Sequence, residues 1–232
     1  MSPRPHKLPL LIGLQAVKAN FLPGLVIQLL MLVLVVGYYT FAPLTAWLDV
    51  LARAKQTLGY GYSIAATLIA GAIIPQVLLA LFKGPRQRIP RFRDHLFIMA
   101  FWGFDGFMVD AFYRLQDQWF GRGLDLWTVA TKVAVDQALF SPLLAVPLTL
   151  MVYEFKDQGY SANSLAGIVT LEFYLHRVVP ALVTMWAIWI PLLCMLYSFP
   201  LQLQVPLFTL ALSFWVLIVT FISTKKGQAG QS

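Results

Sequence analysis

The sequence predicts an all-α, polytopic membrane protein, a transmembrane helical bundle of about six membrane segments. Three observations carry that prediction. Hydrophobic residues make up 59% of the 232 residues and charged residues 12%, against roughly 25% charged in soluble domains. The apolar residues come in long blocks instead of short amphipathic pieces, and mean hydropathy is +0.73. The bases cluster between the blocks, as loop charges do beside an anionic leaflet.

The blocks follow in order. Positions 19–48 carry no charge over 30 residues, and their core, 21–47, can cross a hydrocarbon layer of about 30 Å with some tilt. That run is too long for a secretory signal, and no small-residue cleavage site stands at its end. Positions 56–82 are also uncharged and form a second segment. Positions 95–113 form a third, interrupted by Asp105 and Asp110. Positions 126–153 form a fourth, with Lys132 and Asp136 inside it. Positions 178–224 are 47 uncharged residues, too many for one crossing. Pro200 and Pro206, flanking Gln202 and Gln204, are expected to form the turn that divides them. Barrel strands would alternate apolar and polar residues. These blocks are apolar on every face, and helices satisfy their own backbone in lipid.

Six crossings put both termini on one side. With the N-terminus inside, twelve of the 17 bases fall on inner segments: Arg4, Lys7 and Lys18, then five between Lys83 and Arg93, then Lys156, Arg177, Lys225 and Lys226. Arg53, Lys55, Arg114 and Arg122 fall outside, and Lys132 lies within a segment. The positive-inside rule favours this orientation. The chain divides into 1–55, a basic segment plus a helix; 56–226, the main bundle; and 227–232, a polar tail. The partner these features imply is the lipid bilayer. The net charge of +7 is loop charge, and no nucleic-acid partner is expected. The single cysteine, Cys194, excludes an internal disulfide and is expected to pack as a small apolar side chain.

Any function then rests on polar residues within the apolar blocks. A charge at bilayer depth costs about 2.5–3.5 kcal/mol on insertion scales. The candidates are Asp105, Asp110, Lys132, Asp136 and Gln137. Lys132 and Asp136 stand at i, i+4 and can pair within one helix, as can Asp110 and Arg114. These residues either line a water-accessible path or clamp helices to one another, and polar glue between helices is common. Glu172 and His176 share the same spacing, and His176 is expected to pair with a carboxylate. No second His or Cys stands at ligand spacing, so no metal is expected. Small residues at Gly71, Ala72, Gly103 and Gly106 would let helices approach closely. Tyrosines and tryptophans near segment ends, among them Trp47, Trp119 and Trp127, suit the headgroup zone. No GxSxG, HExxH, P-loop or GxGxxG is present, so neither an enzyme nor a cofactor is expected.

From the second segment onward, over about 60–225, the chain resembles the Mpv-seventeen / peroxisomal membrane protein twenty-two family. Gly106, Tyr113 and Asp117 match that family's G-P-x-x-H-x-W-Y-x-x-L-D stretch, with Phe107, Asp110 and Phe112 in place of its Pro, His and Trp. Lys132-x-x-x-Asp136-Gln137, followed by Pro142, matches its K-x-x-x-D-Q and downstream Pro. Trp186-x-x-Trp189-x-Pro191 resembles the start of the last family signature, and Phe214-Trp215 with Phe221-Ile222-Ser223 its finish. Gly71 and Gln76 fit its G-D-x-x-x-Q. Ala72, Leu193 and Leu196 replace polar family residues, and the first 55 residues have no counterpart in the family pattern.

The resemblance implies a small membrane protein of the mitochondrial inner or peroxisomal membrane, with a bacterial inner membrane equally compatible with the sequence. It implies a channel or pore for small solutes, formed alone or as a homo-oligomer, and a part in membrane homeostasis. It names no solute. The alternative is a non-conducting structural or scaffold protein whose buried charges only clamp helices.

Overall fold

The computed structural model describes residues 8–81, 91–161, 163 and 167–229. The bases Arg4, Lys7, Lys83, Arg86 and Arg88 lie outside the described residues, and so does part of the 227–232 tail. Seven helices account for the described elements, and there is no strand among the described residues. They are α1, Pro9–Thr40; α2, Ala42–Leu58; α3, starting at Tyr60–Leu68 and ending with Ile74–Leu81; α4, Phe92–Phe120; α5, Leu126–Asp157; α6, Leu171–Leu196; and α7, Leu201–Ala229. Five of these, α1 and α3 to α6, are long and apolar enough to cross a membrane. α7 adds a further apolar stretch, Leu201–Leu217. Large apolar side chains stand exposed along them, among them Val33, Leu81, Leu126 and Leu143. In water so much exposed apolar surface would drive association, whereas in lipid it is the expected outer face of a helix.

The helix boundaries follow local chemistry. The first uncharged run does not form one helix to position 47. α1 ends at Thr40, Phe41 is extended, and Pro43 starts α2 in the first helical turn, where its missing N–H costs nothing. Trp47 therefore belongs to α2, a 17-residue amphipathic helix that sequence reading missed. Leu48 and Lys55, seven residues apart on one face, are its buried residues. Such a helix suits the membrane–water interface. α4 starts where the Asp94 carboxylate accepts the Arg91 backbone N–H at 3.1 Å, and α5 where Asp125 accepts the Thr128 N–H and hydroxyl. Those two Thr128 bonds hold the Asp125 carboxyl below its ordinary value, the hydroxyl contributing most. Between α6 and α7 the turn contains Pro200, but Pro206 lies inside α7. There its missing N–H leaves the Gln202 carbonyl without its i→i−4 bond.

Three helices contain π-helical segments: Ile69–Ile73 in α3, Asp136–Ala145 in α5 and Tyr174–Val178 in α6. A π turn bonds i to i+5, so it shifts the face that later residues present.

The residues fall into two compact units. One comprises residues 1–25 and 133–193, the other 26–132 and 194–232. In the first, Val146, Val178 and Leu182 are buried together, with Leu150, Phe173 and Met185 packed on them. In the second, α3 packs along α4. A Cβ at Gly106 would overlap the Thr67 hydroxyl and the Ser63 carbonyl, and one at Gly71 would overlap the Trp102 ring. The expectation of close helix approach at these glycines holds for that pair of helices. α2 and α7 also pack together in this unit, and Tyr113 of α4 meets Tyr197 edge-on at 5.3 Å.

Candidate functional site

Two buried carboxylates of the second unit share one face of α4. Asp110 and Asp117 are seven residues apart, two turns of helix, and both are buried. Asp110 is 1% exposed and takes three partners. Lys55 Nζ lies 2.6 Å from Oδ2, Ser63 Oγ donates to Oδ2 at 2.9 Å, and Arg114 Nε donates to Oδ1 at 3.0 Å. Lys55, on α2, is itself 3% exposed and also donates to the Gly59 carbonyl at 2.9 Å. Arg114 lies over the Tyr60 ring, 4.7 Å from its centroid. Burial lowers the proton affinity of Lys55, and the Arg114 charge acts in the same direction. The Asp110 hydrogen bond and charge oppose both.

Gly59 sets this corner. It joins α2 to α3 with φ +55° and ψ −127°, a conformation L side chains rarely adopt. Its N–H caps Lys55 O and its carbonyl receives the Lys55 ammonium. Gly59→Ala is expected to cost about 1–3 kcal/mol, although a methyl there meets nothing. A thermal midpoint in detergent unchanged from wild type would show that the backbone relaxes without strain.

Asp117 forms the second cluster. Lys132 Nζ lies 2.6 Å from its Oδ1, and the exposed Arg122 Nε is 3.4 Å from Oδ2. Gln116, fully buried beside it, donates to the Lys132 backbone carbonyl at 3.1 Å. Each carboxylate thus pairs with a lysine on another helix and with an arginine further along the chain, Arg114 on α4 and Arg122 just past its end. The ion pair of Lys132 is with Asp117, fifteen residues back. Asp117 and Lys132, both noted in the sequence, are thereby brought together.

In the other unit, Asp136, Gln137 and Ser141 form a buried polar group on the π segment of α5. Gln137 Nε2 donates to Asp136 Oδ1 at 2.8 Å and to Ser141 Oγ at 3.0 Å, and Ser141 Oγ lies 3.1 Å from Asp136 Oδ1. Ser141 is five residues past Asp136, and the π turn brings that spacing onto one face. The Trp186 indole donates to the Gln137 carbonyl and the Tyr174 hydroxyl to the Pro142 carbonyl, each at 3.1 Å. Gln137, Pro142 and Trp186, each noted in the sequence, meet here.

Other sequence candidates are not brought into a cluster. Asp105 is 5% exposed, and among the described residues it makes no hydrogen bond or ion pair. Gln76 and Trp215 are half-buried, and Pro191 lies exposed within α6. Trp189 is half-buried on the same helix. His176 does not pair with Glu172 among the described residues, because the π turn at Tyr174–Val178 breaks the i, i+4 alignment. Arg177 instead bonds Glu154 at 2.6 Å. Asp110 and Arg114 pair as their spacing predicts. Cys194 is exposed and not packed inside, since its helix face there is an outer one. No group of three His, Cys, Asp or Glu that could hold a metal occurs among the described residues.

Lys55, Ser63 and Gln116 were not foreseen as site residues. Lys55 reads in sequence as one of four outer-loop bases. Its partner is 55 residues away, and only the amphipathic register of 42–58, with Leu48 and Lys55 on one face, signals that it turns inward.

Apolar helices of this length, with apolar residues exposed along them, define an integral membrane protein of the all-α, polytopic class. No known protein family, no curated protein and no solved structure matches the chain.

Proposed function

We propose that this is a structural membrane protein in which the buried charges clamp helices and do not line a conduit. The observation that supports this most directly is that Lys55 and Lys132, 3% and 2% exposed, each meet a carboxylate of α4 at 2.6 Å. A lysine that serves a water path needs water at its ammonium, and these two are packed away from it. The resemblance to the Mpv-seventeen / peroxisomal membrane protein twenty-two family agrees with a role in membrane homeostasis, in an organelle membrane or a bacterial inner membrane. Scaffolding of a homo-oligomer or a larger membrane complex fits the same reading.

A second reading, a channel or pore for small solutes, is favoured by Asp105. A carboxyl within a membrane segment is expensive unless it is paired or functional, and Asp105 has no partner among the described residues.

Flux from liposomes separates the two. Purified chain is reconstituted and tested with protons, potassium, a small sugar and a small carboxylate, beside an Asp105→Asn variant. The clamp reading expects leakage no faster than from empty liposomes, together with a lowered thermal midpoint for Asp136→Asn in detergent. Solute flux present in wild type and lost in Asp105→Asn establishes the channel instead.

A further inference from the structure

Between the end of α1, α2 and the start of α7 lies a cleft of about 230 Å³. Asp49, Arg53 and Gln56 line it from α2, Tyr38 from α1, and Gln202 and Leu203 from α7. All belong to the unit of residues 26–132 and 194–232. Its walls are held in place by packing. α2 lies against α7, the Tyr38 ring meets Phe199 at 5.2 Å, and the Tyr39 hydroxyl donates to the Ser198 carbonyl.

The polar side chains of this cleft are unspent. Asp49, Arg53 and Gln56 stand at i, i+4 and i+7 and share one side of α2. Asp49 and Arg53 have the spacing of an ion pair, yet among the described residues neither bonds the other or any further side chain. Gln56 and Gln202 likewise make no side-chain hydrogen bond there. Arg53 and Gln56 are exposed, and Asp49 and Gln202 are half-buried. Polar atoms form a large share of the cleft wall, in contrast to the apolar cavities elsewhere.

The cleft thus holds an anion and a cation side by side, with amides that donate and accept. A purely anionic group would meet Arg53 but bring nothing for Asp49. A quaternary ammonium would meet Asp49 with no N–H to donate. A phosphate ester carrying a primary ammonium satisfies both. Two carbons separate the ammonium from the ester oxygen, a reach suited to the about 5–6 Å between Cβ atoms at i, i+4. Guanidinium to phosphate and ammonium to carboxylate are both charge-assisted pairings. The depth also fits. The membrane segment α1 ends at Thr40, just past Tyr38, and α2 is an amphipathic helix suited to the interface.

We propose that this cleft binds the headgroup of an ethanolamine phospholipid, its ammonium donating to Asp49 and its phosphate accepting from Arg53, with the acyl chains left in the bilayer. None of these residues belongs to the Asp110 or Asp117 clusters, so the site stands or falls apart from the clamps.

The test is native mass spectrometry of the full chain in detergent, titrated with dioleoyl phosphatidylethanolamine, phosphatidylcholine and phosphatidylglycerol. The ethanolamine lipid is expected to bind about tenfold more tightly than either, the worth of one hydrogen bond to a charged group. Asp49→Asn should bring it down to the level of the choline lipid, and Arg53→Gln should weaken it by a similar factor. In the wild-type chain a carbodiimide should couple the lipid amine to the Asp49 carboxylate, which locates the site without a variant. Phosphoethanolamine without acyl chains, at the same concentration, should leave the bound lipid in place. Equal binding of the ethanolamine and choline lipids overturns the proposal, as does tighter binding of phosphatidylglycerol. So do a preference that survives both substitutions and coupling confined to other carboxylates. Displacement by phosphoethanolamine overturns the lipid assignment and gives the cleft to a soluble zwitterion.

Discussion

Asp110→Ala is expected to destabilise the protein by about 3–5 kcal/mol, the usual result of removing one partner of a buried ion pair. The Lys55 ammonium would remain within a nearly closed site, with Arg114 close by and no carboxylate between the two cations. Ser63 would lose its acceptor as well. The cost is mainly that of an uncompensated charge, so the paired removal should cost much less. In the double variant Lys55→Met, Asp110→Leu, apolar volume replaces both charges, and such swaps are often close to neutral. Thermal unfolding in detergent, read by circular dichroism, measures all three proteins. The clamp interpretation fails if the double variant loses as much stability as Asp110→Ala. A loss near 1 kcal/mol for the single variant would also be too small, since it is the size expected of a solvated surface pair.

Gly106→Val should be nearly as damaging, through shape instead of charge. Overpacking usually costs about 1–3 kcal/mol, occasionally more, and this site stands at the upper end. The first added carbon already overlaps the Ser63 backbone and the Thr67 hydroxyl. A flexible side chain can move aside, but the backbone of α3 cannot without shifting the whole helix. Thr67→Ala in the Gly106→Val background should thus recover only part of the loss. Complete recovery would mean that the Thr67 side chain alone sets the approach of α3 to α4. Because α3 carries Ser63 to Asp110, the same substitution should also weaken that cluster.

The sequence foretold the helical class because charge-free runs of this length have few other fates in water or lipid. It also singled out Asp105, Asp110, Lys132 and Asp136 on α4 and α5, all four of which are buried. Local pattern misleads where a helix is interrupted or irregular. Position 47 reads as part of the first crossing because no charge interrupts 19–48, although Pro43 restarts the helix. The i, i+4 rule worked for Asp110 and Arg114, on a regular helix. It did not work for Glu172 and His176, which fall across a π turn, and single-sequence spacing carries no sign of that turn. The Lys55 contact was invisible for a different reason. Pairings between residues so far apart are fixed by how helices pack, and local pattern says nothing of that.

The Lys55–Asp110 bond also has a history in the making of the chain. Lys55 leaves the ribosome 55 residues before its partner. At about 5–20 residues per second, it waits roughly 3–11 s for Asp110. During that interval an amphipathic helix can rest at the membrane surface with its ammonium in water. Entry of the fourth helix then exchanges that hydration for a carboxylate. Insertion of α4 is thus the event that gives Lys55 its carboxylate, and a nascent chain halted before position 110 should leave Lys55 open to amine-reactive labelling.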